Sequence, residues 1–350
     1  MKVLHLLQST RFSGAENVVC QIIGMMKNEP NIEMVYCSPD GQIREALKER
    51  GVTFEAIKEL SVKEVKQIIK KFNPDIIHAH DRSACIIAAL ASKKIPVVAH
   101  IHVNNNKGMS AFVKNAVLTL FAKKYRHIFW VSDSAYDQFQ FKRIVSKKSS
   151  VLYNVLDTEA LYKKCEQDEA LYNYDVVYVG RLSHQKNPER LIKVLHELVK
   201  LKNEVKIAIV GSGEFSEYIT KYISDNNLEK NIDYFGYKNN PLKLISDSKV
   251  MIMTSYFEGT PMVALEAQCF GTPIVSTPVD GMKKIVTNGY NGYLADNDED
   301  LLYLLMQVIT DSELRAKLKD NSLSRSKEYN DINKFSKAIK DAYYLSEGNK

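Results

Sequence analysis

Short apolar runs alternate with stretches of helical period along nearly the whole chain, and this rhythm limits the fold more than any other feature. Residues 3–7, 33–37, 53–57, 74–80, 96–100 and 127–131 read as strands. Between them, residues 15–27 put Val18, Val19, Ile22, Ile23 and Met26 on one helical face, and residues 42–49, 62–71, 82–91, 109–124 and 134–140 continue the alternation. Strands each followed by a helix build a parallel sheet covered on both faces. Residues 158–174 are polar and show no strong period. The rhythm then restarts, with strands at 175–179, 206–210, 232–235, 250–255, 273–276 and 292–295. A last amphipathic helix at 332–345 carries Phe335, Ile339, Ala342 and Tyr343.

The expected architecture is α/β, with two Rossmann-like doubly wound domains facing a cleft. Residues 1–157 form the first domain, 158–174 the linker, 175–328 the second domain, and 329–350 a closing segment. A chain of 350 residues, 45% hydrophobic and 26% charged, has enough sequence for two cores. No apolar run reaches the roughly 20 residues that cross a bilayer. The strand-like start at Lys2 lacks a cleavage site and is read as having no leader. The five cysteines are scattered and form no Cys-x-x-Cys pair, which points to a reducing cytoplasm and away from a structural zinc. Charge is uneven. Residues 1–153 carry 23 Lys/Arg against 13 Asp/Glu, and residues 154–350 carry 25 against 29. The basic excess lies mostly in residues 100–150, so an anionic surface is a plausible partner of the first domain; nothing points to nucleic acid.

The chemistry gathers around Glu258-Gly-Thr-Pro-Met-Val-Ala-Leu-Glu266, two carboxylates eight positions apart. A strand precedes this stretch and a helix begins inside it. Pro261 suits the first turn of that helix and Gly271 its end. Ligands of an open parallel sheet bind outside the carboxyl ends of the strands. There a loop Glu beside Gly-Thr-Pro at a helix N-terminus can present a carboxylate to hydroxyls and backbone N–H groups to an anion. Arg181 and Lys186 share one loop at another strand end, where a guanidinium fork and an ammonium can clamp a diphosphate. Gly14, at the start of the first helix, lets backbone approach a phosphate closely. Each feature also has an ordinary reading, as a solvated basic loop, a turn glycine or a surface carboxylate.

Other motifs read as structural. Gly211-Ser-Gly213 lacks the third glycine and the acidic partner of a dinucleotide fingerprint and is expected to be a turn. Asp296-Asn-Asp298 precedes a helix and is expected to cap it. His78, His80, His100 and His102 alternate on strands, but no Cys or Glu stands at helpful spacing, so no bound metal is expected. His78 and His100 are read as core residues and His102 as exposed to the cleft. The helix at 109–124, with Phe112, Leu118 and Phe121 beside Lys114, Lys123, Lys124 and Arg126, can either pack on its sheet or lie in an anionic membrane interface.

Gly180-Arg181-Leu-x3-Lys186-Asn187, Glu258-Gly-x6-Glu266-Ala and Gly271-x-Pro273-Ile-Val together resemble the retaining glycosyltransferases of GT-B fold, family 4. Ser13-Gly14-Ala-Glu16 and Val151-Leu-Tyr-Asn154-x-x-Asp157 fit in the same order, although Ser13 stands where many members have glycine. The resemblance spans essentially the whole chain. It implies a nucleotide-sugar donor on the second domain and a saccharide or lipid-linked acceptor on the first. Arg181 and Lys186 would hold the diphosphate, Glu266 the ribose hydroxyls, and Glu258 the sugar hydroxyls, and helix N–H groups near Thr260, Pro261, Met262 and Val263 would complete the phosphate cradle. Tyr237, in Phe235-Gly-Tyr-Lys238, would lie by the base, Gly14 by the phosphates, and His102 by the sugar and the attacking hydroxyl. The last helix commonly returns to the first domain in such enzymes.

The expected function is retaining, metal-independent transfer of a hexose-type sugar, from a UDP-sugar in preference to a GDP-sugar, in capsule, exopolysaccharide or lipopolysaccharide synthesis. The enzyme would be cytoplasmic and peripheral on the inner face of the cell membrane. Rival readings are a GT-B nucleotide-sugar epimerase and a non-catalytic nucleotide-sugar-binding assembly protein.

Overall fold

The computed structural model describes residues 1–27, 29–102 and 108–345. Residues 103–107, in the loop that carries His102, lie outside the described residues. The chain forms two compact units. Unit 1 comprises Met1–Asn154 and Ile332–Lys350, and unit 2 comprises Val155–Asp331.

Unit 1 is built on a seven-stranded parallel sheet. Its strands are β1 (Lys2–Leu6), β2 (Glu33–Pro39), β3 (Phe54–Ile57), β4 (Ile76–His80), β5 (Val97–Ile101), β6 (Tyr125–Trp130) and β7 (Ser149–Val151), in the order β3-β2-β1-β4-β5-β6-β7. The order reverses between β1 and β4. Strands β4 and β5 are buried at every residue, as expected of central parallel strands. The two faces of the sheet differ. On one, Leu4, Leu6, Ile77, Ala79, Val97, Ala99 and Ile101 join the core with Ala84, Cys85 and Ala88 of the helix Asp81–Ala91. The other carries histidines, with His5 opposite His78 and His80 opposite His100.

The last helix, Ile332–Tyr344, packs on this unit. Phe335, Ile339, Ala342 and Tyr343 recur at helical spacing and are all buried. Burial of a side chain such as Ile339 or Phe335 contributes about 1.5–3 kcal/mol. Tyr343 Oη lies 2.7 Å from His78 Nδ1, Arg126 Nη1 donates to Tyr343 O at 2.6 Å, and Lys340 pairs with Glu29. Polar contacts therefore fix the register that burial alone leaves loose.

Unit 2 has a six-stranded parallel sheet of β8 (Val176–Val179), β9 (Ile207–Val210), β10 (Ile232–Gly236), β11 (Val250–Met253), β12 (Ile274–Ser276) and β13 (Gly292–Leu294). The order is β10-β9-β8-β11-β12-β13, with the reversal between β8 and β11. Together the sheets give the expected α/β architecture of two doubly wound, Rossmann-like domains.

Three local expectations are corrected. The stretch read as a linker at 158–174 begins with a helix, Thr158–Glu166. Asp157 caps it by accepting from Ala160 N at 3.0 Å, and Leu161 and Cys165, four apart, bury one face. The reading at 109–124 is a helix to Leu120 and then a 3₁₀ turn, Ala122–Lys124. Pro261 stands one position before the helix Met262–Phe270, as its N-cap, and not within its first turn.

Candidate functional site

In unit 2 the sheet order reverses between β8 and β11, the place where doubly wound sheets bind ligands. The loop after β8 carries Arg181 and Lys186, and the loop after β11 carries Glu258 and Thr260. The two loops are tied together. Tyr256 N donates to Gln185 O at 2.9 Å, Gln185 Nε2 donates to Phe257 O at 3.0 Å, and Thr254 Oγ1 donates to Lys186 O at 3.1 Å. Lys186 Nζ meets Glu258 Oε1 at 2.5 Å, and Ser255 Oγ donates to the same oxygen at 2.6 Å. Glu258 is buried, with 5% of its side chain exposed against 16% for Lys186. Burial makes this pair directional, because neither charge is solvated well enough to turn away without a new partner.

Arg181 differs. It is exposed, and its guanidinium makes no ion pair among the described residues. Its backbone is held from below, where Tyr178 Oη donates to Arg181 O at 3.2 Å. Burial, and after it the nearness of Glu258, pushes the Tyr178 phenol far above its ordinary value, so it remains a donor. The loop is held from the side by Gly211-Ser-Gly213. A Cβ on Gly211, at φ +137°, would stand 1.9 Å from Gly180 O, and one on Gly213 would stand 2.2 Å from Leu182 O. These glycines allow backbone to pack on backbone, which agrees with a turn and not a dinucleotide fingerprint.

The helix Met262–Phe270 starts at this same edge. Gly271 closes it at φ 72°, as expected of a left-handed C-cap. Its first N–H groups lack partners within the helix and give the Thr260–Val263 end a partial positive charge. All of its residues are buried except Val263 and Glu266. These two are three apart and share the open face, so Glu266 and the helix start face the same side. Thr260, Pro261 and Met262 are buried at the entry to the helix. A Cβ on Gly281 would meet Gly259 O at 1.9 Å, so the segment after β12 packs tightly under this loop, a constraint the sequence reading missed. Tyr237 is 58% exposed just after β10, at the outer edge of the sheet. The structure thus joins Lys186 directly to Glu258, places Arg181, Thr260, Pro261, Met262, Val263 and Glu266 on the adjoining elements, and sets Tyr237 two strands away.

The remaining sequence-predicted residues belong to unit 1, Gly14 at the β1/β4 reversal and His102 one strand beyond it. Gly14 opens the helix Gly14–Met25 in the loop after β1 and is exposed. Ser13 Oγ donates to Glu16 Oε2 at 2.5 Å, orienting the first turn. His102 follows β5. Its N–H donates to Asp81 Oδ1 at 2.9 Å, and its Nε2 lies 2.9 Å from His80 Nδ1. The residue as a whole is half-buried, and its Nδ1 is buried. Asp81 adopts φ +65°, a strained conformation for a residue other than glycine, directly after β4. Burial raises its carboxyl, while the hydrogen bond from His102 N–H and the charge of Arg82 act the other way.

His78 and His100 are core residues, as expected, but the cluster is larger than the sequence indicated. His5 joins from β1, with Nδ1 3.1 Å from His80 Nε2. Burial lowers the pKa of His5 and His102 to about 3. It also lowers His78, His80 and His100 well below the ordinary imidazole value, assisted by the neighbouring rings. All five are therefore neutral at ordinary pH. His5 and Asp81 were not singled out because no local pattern marks them; only the pairing of distant strands does.

Two further motifs are settled. Asn297, not either flanking aspartate, caps the helix Asp298–Thr310 by accepting from Asp300 N at 2.7 Å, and Asp298 pairs with Arg190 at 2.5 Å. The helix Met109–Leu120 packs on the sheet through buried Leu118 and Asn115, and Phe121 also packs inward, so Leu118 and Phe121 do not face a membrane. Met109, Phe112, Val113 and Leu120 are exposed instead, with Lys114, Lys123 and Lys124. Among the described residues, no helix is long and apolar enough to cross a membrane.

Comparison with known proteins bears on the family and the fold. The family model "Glycosyltransferase Family 4" matches residues 13–160, and "Glycosyl transferases group 1" matches residues 166–325. A capsular polysaccharide biosynthesis glycosyltransferase of Staphylococcus aureus, CapH, is 26% identical over 98% of each chain. The UDP-Gal:alpha-D-GlcNAc-diphosphoundecaprenol alpha-1,3-galactosyltransferase of Escherichia coli is 24% identical over 98% of this chain and 96% of its own. Anabaena HepE, solved in complex with UDP and glucose, superposes with a TM-score of 0.83 at 22% identity, covering 97% of this chain and 98% of that one. Two doubly wound sheets, a basic loop tied to a buried glutamate at the second reversal, and family matches to both halves lead to one assignment: the chain belongs to the group 1, family 4 glycosyltransferases of GT-B fold.

Proposed function

We propose that the protein transfers a hexose-type sugar from a nucleotide-sugar, UDP-linked in preference to GDP-linked, to a saccharide or lipid-linked acceptor in cell-surface polysaccharide synthesis. The observation that carries this reading is the buried Lys186–Glu258 pair at the unit 2 reversal, beside the exposed guanidinium of Arg181. A diphosphate entering there recruits both cations, and the N–H groups at Thr260–Val263 add dipole. Glu258, released from Lys186, accepts from sugar hydroxyls. Glu266 accepts from the ribose, and Tyr237 borders the base. Gly14 lets unit 1 backbone approach the phosphates, and His102 meets the sugar and the incoming hydroxyl.

Charge development sets the mechanism. The transition state is oxocarbenium-like, and the departing nucleoside diphosphate gains negative charge. Arg181, Lys186 and the helix N-terminus stabilise that charge in the role a metal ion takes elsewhere, so transfer proceeds without one. The acceptor hydroxyl attacks on the face the diphosphate leaves. Its proton passes to the departing phosphate oxygen as the C–O bond forms and the anomeric configuration is retained. Glu258 orients hydroxyls and does not attack. The preference for UDP is supported by the relative named for UDP-galactose and the neighbour solved with UDP.

The acceptor side rests on the outer face of Met109–Leu120. Its exposed apolar side chains and neighbouring lysines suit peripheral contact with an anionic membrane on the cytoplasmic side, where a lipid-linked saccharide is presented. Incubation with UDP- and GDP-sugars and a polyprenyl-diphosphate-linked saccharide, with EDTA or Mg²⁺, tests the whole reading. Chelator-resistant transfer with an α-linked product from an α-linked donor supports it. Transfer lost in EDTA rejects the metal-independent step, an inverted product rejects retention, and epimerised donor without transfer favours the epimerase.

A further inference from the structure

Three of the unit 1 histidines are joined ring to ring. His5 Nδ1 lies 3.1 Å from His80 Nε2, and His80 Nδ1 lies 2.9 Å from His102 Nε2. They come from β1, the end of β4 and the residue after β5, so only the assembled sheet creates the chain of rings. Each ring is neutral at ordinary pH, and a neutral imidazole has one N–H donor and one acceptor nitrogen. His80, in the middle, uses both nitrogens. If Nδ1 holds its proton, it donates to His102 Nε2, and the His102 proton must sit on Nδ1. His80 Nε2 then accepts, so the His5 proton also sits on Nδ1. If His80 is protonated on Nε2 instead, every assignment reverses. Any mixed set sets two lone pairs or two N–H groups against each other across one of these contacts.

We infer that His5, His80 and His102 hold one common tautomer, and that His5 and His80 are positioning residues that decide whether His102 Nδ1 donates or accepts. The two ends of the chain, His5 Nε2 and His102 Nδ1, are buried without a hydrogen-bond partner among the described residues. A proton handed inward from His102 finds no outlet at His5. The rings therefore hold a tautomer and do not conduct protons to solvent. The use of this lock rests on the proposed function: His102 Nδ1 is covered in this structure, and when a sugar or acceptor hydroxyl reaches it, it has a fixed polarity and needs no proton rearrangement during transfer.

The rival arrangement is a shared metal ion. Ring nitrogens of His5, His78 and His80 lie within 4.8 Å of one another, as do those of His80, His100 and His102, so His5 supplies a third ligand that the sequence reading did not foresee. Against the ion, His80 is common to both triplets and both of its nitrogens are engaged in ring–ring hydrogen bonds.

Long-range ¹⁵N–¹H spectra of the ¹⁵N-histidine-labelled full chain separate the cases, because the two tautomers have distinct nitrogen shifts. The expected result is one common pattern for His5, His80 and His102. His5→Leu should alter the His102 pattern from two rings away. His5→Asn, which keeps a polar group at the Nδ1 position, should restore it. His5→Leu should lower kcat about fivefold, the ratio given by one lost hydrogen bond of about 1 kcal/mol, with donor KM unchanged and kcat recovered in His5→Asn. Opposite tautomers for His80 and His102 in the wild-type protein overturn the inference. So does stoichiometric Zn²⁺ binding that shifts these ring nitrogens together. A shared tautomer in a protein that transfers no sugar leaves the lock standing and refutes only the proposed function.

Discussion

Lys186 and Glu258 reach each other from loops on neighbouring strands, Nζ to Oε1 at 2.5 Å, with Ser255 Oγ at 2.6 Å from the same oxygen. The lysine that should grip a phosphate is already paired, so an incoming diphosphate competes with Glu258 for it. Glu258→Gln keeps the shape and the Ser255 contact but removes the counter-charge. We predict that UDP then binds as tightly or more tightly, that sugar transfer falls at least about 100-fold, and that stability drops by ~1–3 kcal/mol. Calorimetry with UDP and a turnover assay check this; undiminished turnover would remove Glu258 from the site.

Glu266 lies on the open face of a helix that is otherwise buried except at Val263. Glu266→Ala should weaken nucleotide binding by ~1–3 kcal/mol, the size of lost charged hydrogen bonds. The same variant should bind UDP and 2′-deoxy-UDP alike. Equal UDP affinity in wild type and variant would defeat the ribose assignment.

Gly211 has φ +137°, and an added Cβ would stand 1.9 Å from Gly180 O. Gly211→Ala must therefore move the loop that carries Arg181 and Lys186. A stability loss above ~2 kcal/mol, with weaker UDP binding, is expected in thermal melts and titration. A change within about 0.5 kcal/mol, the usual range for surface substitutions, would show that the backbone packing is not as described.

The histidine face sets the acid limit of unit 1. Folding lowers the pKa of His5 and His102 to about 3, that of His127 to about 4, and those of His78, His80 and His100 well below 6.5, in every case first by burial. The unfolded chain thus binds more protons than the folded one below about pH 6.5. Stability is full above that pH and falls as pH drops from there toward the folded values, by up to about 1.4 kcal/mol per pH unit for each ring. Urea midpoints between pH 8 and 5 should fall steeply, and His100→Phe should flatten the fall. A midpoint that does not depend on pH in this window contradicts the buried neutral cluster.

Met109 is 77% exposed and Leu120 is 80% exposed on a helix flanked by lysines. Changing both to Ser should weaken binding to vesicles containing anionic lipid about tenfold and leave transfer to a water-soluble acceptor intact. Binding should also weaken with added salt. Unaltered co-sedimentation would move the membrane contact elsewhere.

The alternation of strands and helices was readable because parallel strands are apolar throughout and their helices keep a one-sided period. Arg181, Lys186 and Glu258 stand out in the sequence for a related reason, because each sits between the end of a strand and the start of a helix, whereas Glu266 lies inside the helix Met262–Phe270 and stands out only by its spacing from Glu258. What escaped depends on pairing across distance. The contact of Lys186 with Glu258 spans 72 positions and that of His5 with His80 spans 75, and no local window shows either. The helix Thr158–Glu166 escaped because its buried face is only Leu161 and Cys165, too narrow a stripe to stand out of polar sequence. The helix Met109–Leu120 is apolar nearly all round, so period alone did not reveal that Leu118 faces in and Leu120 faces out.

The return of Ile332–Tyr344 to unit 1 orders events during synthesis. Residues 1–154 leave the ribosome first, yet the histidine face of their sheet waits for Tyr343, which emerges only after all of unit 2. Unit 2 is contiguous from Val155 to Asp331 and awaits no later segment to complete its sheet. The stretch made first is therefore finished last, and until Tyr343 arrives His78 Nδ1 lacks the hydroxyl it meets in the folded unit.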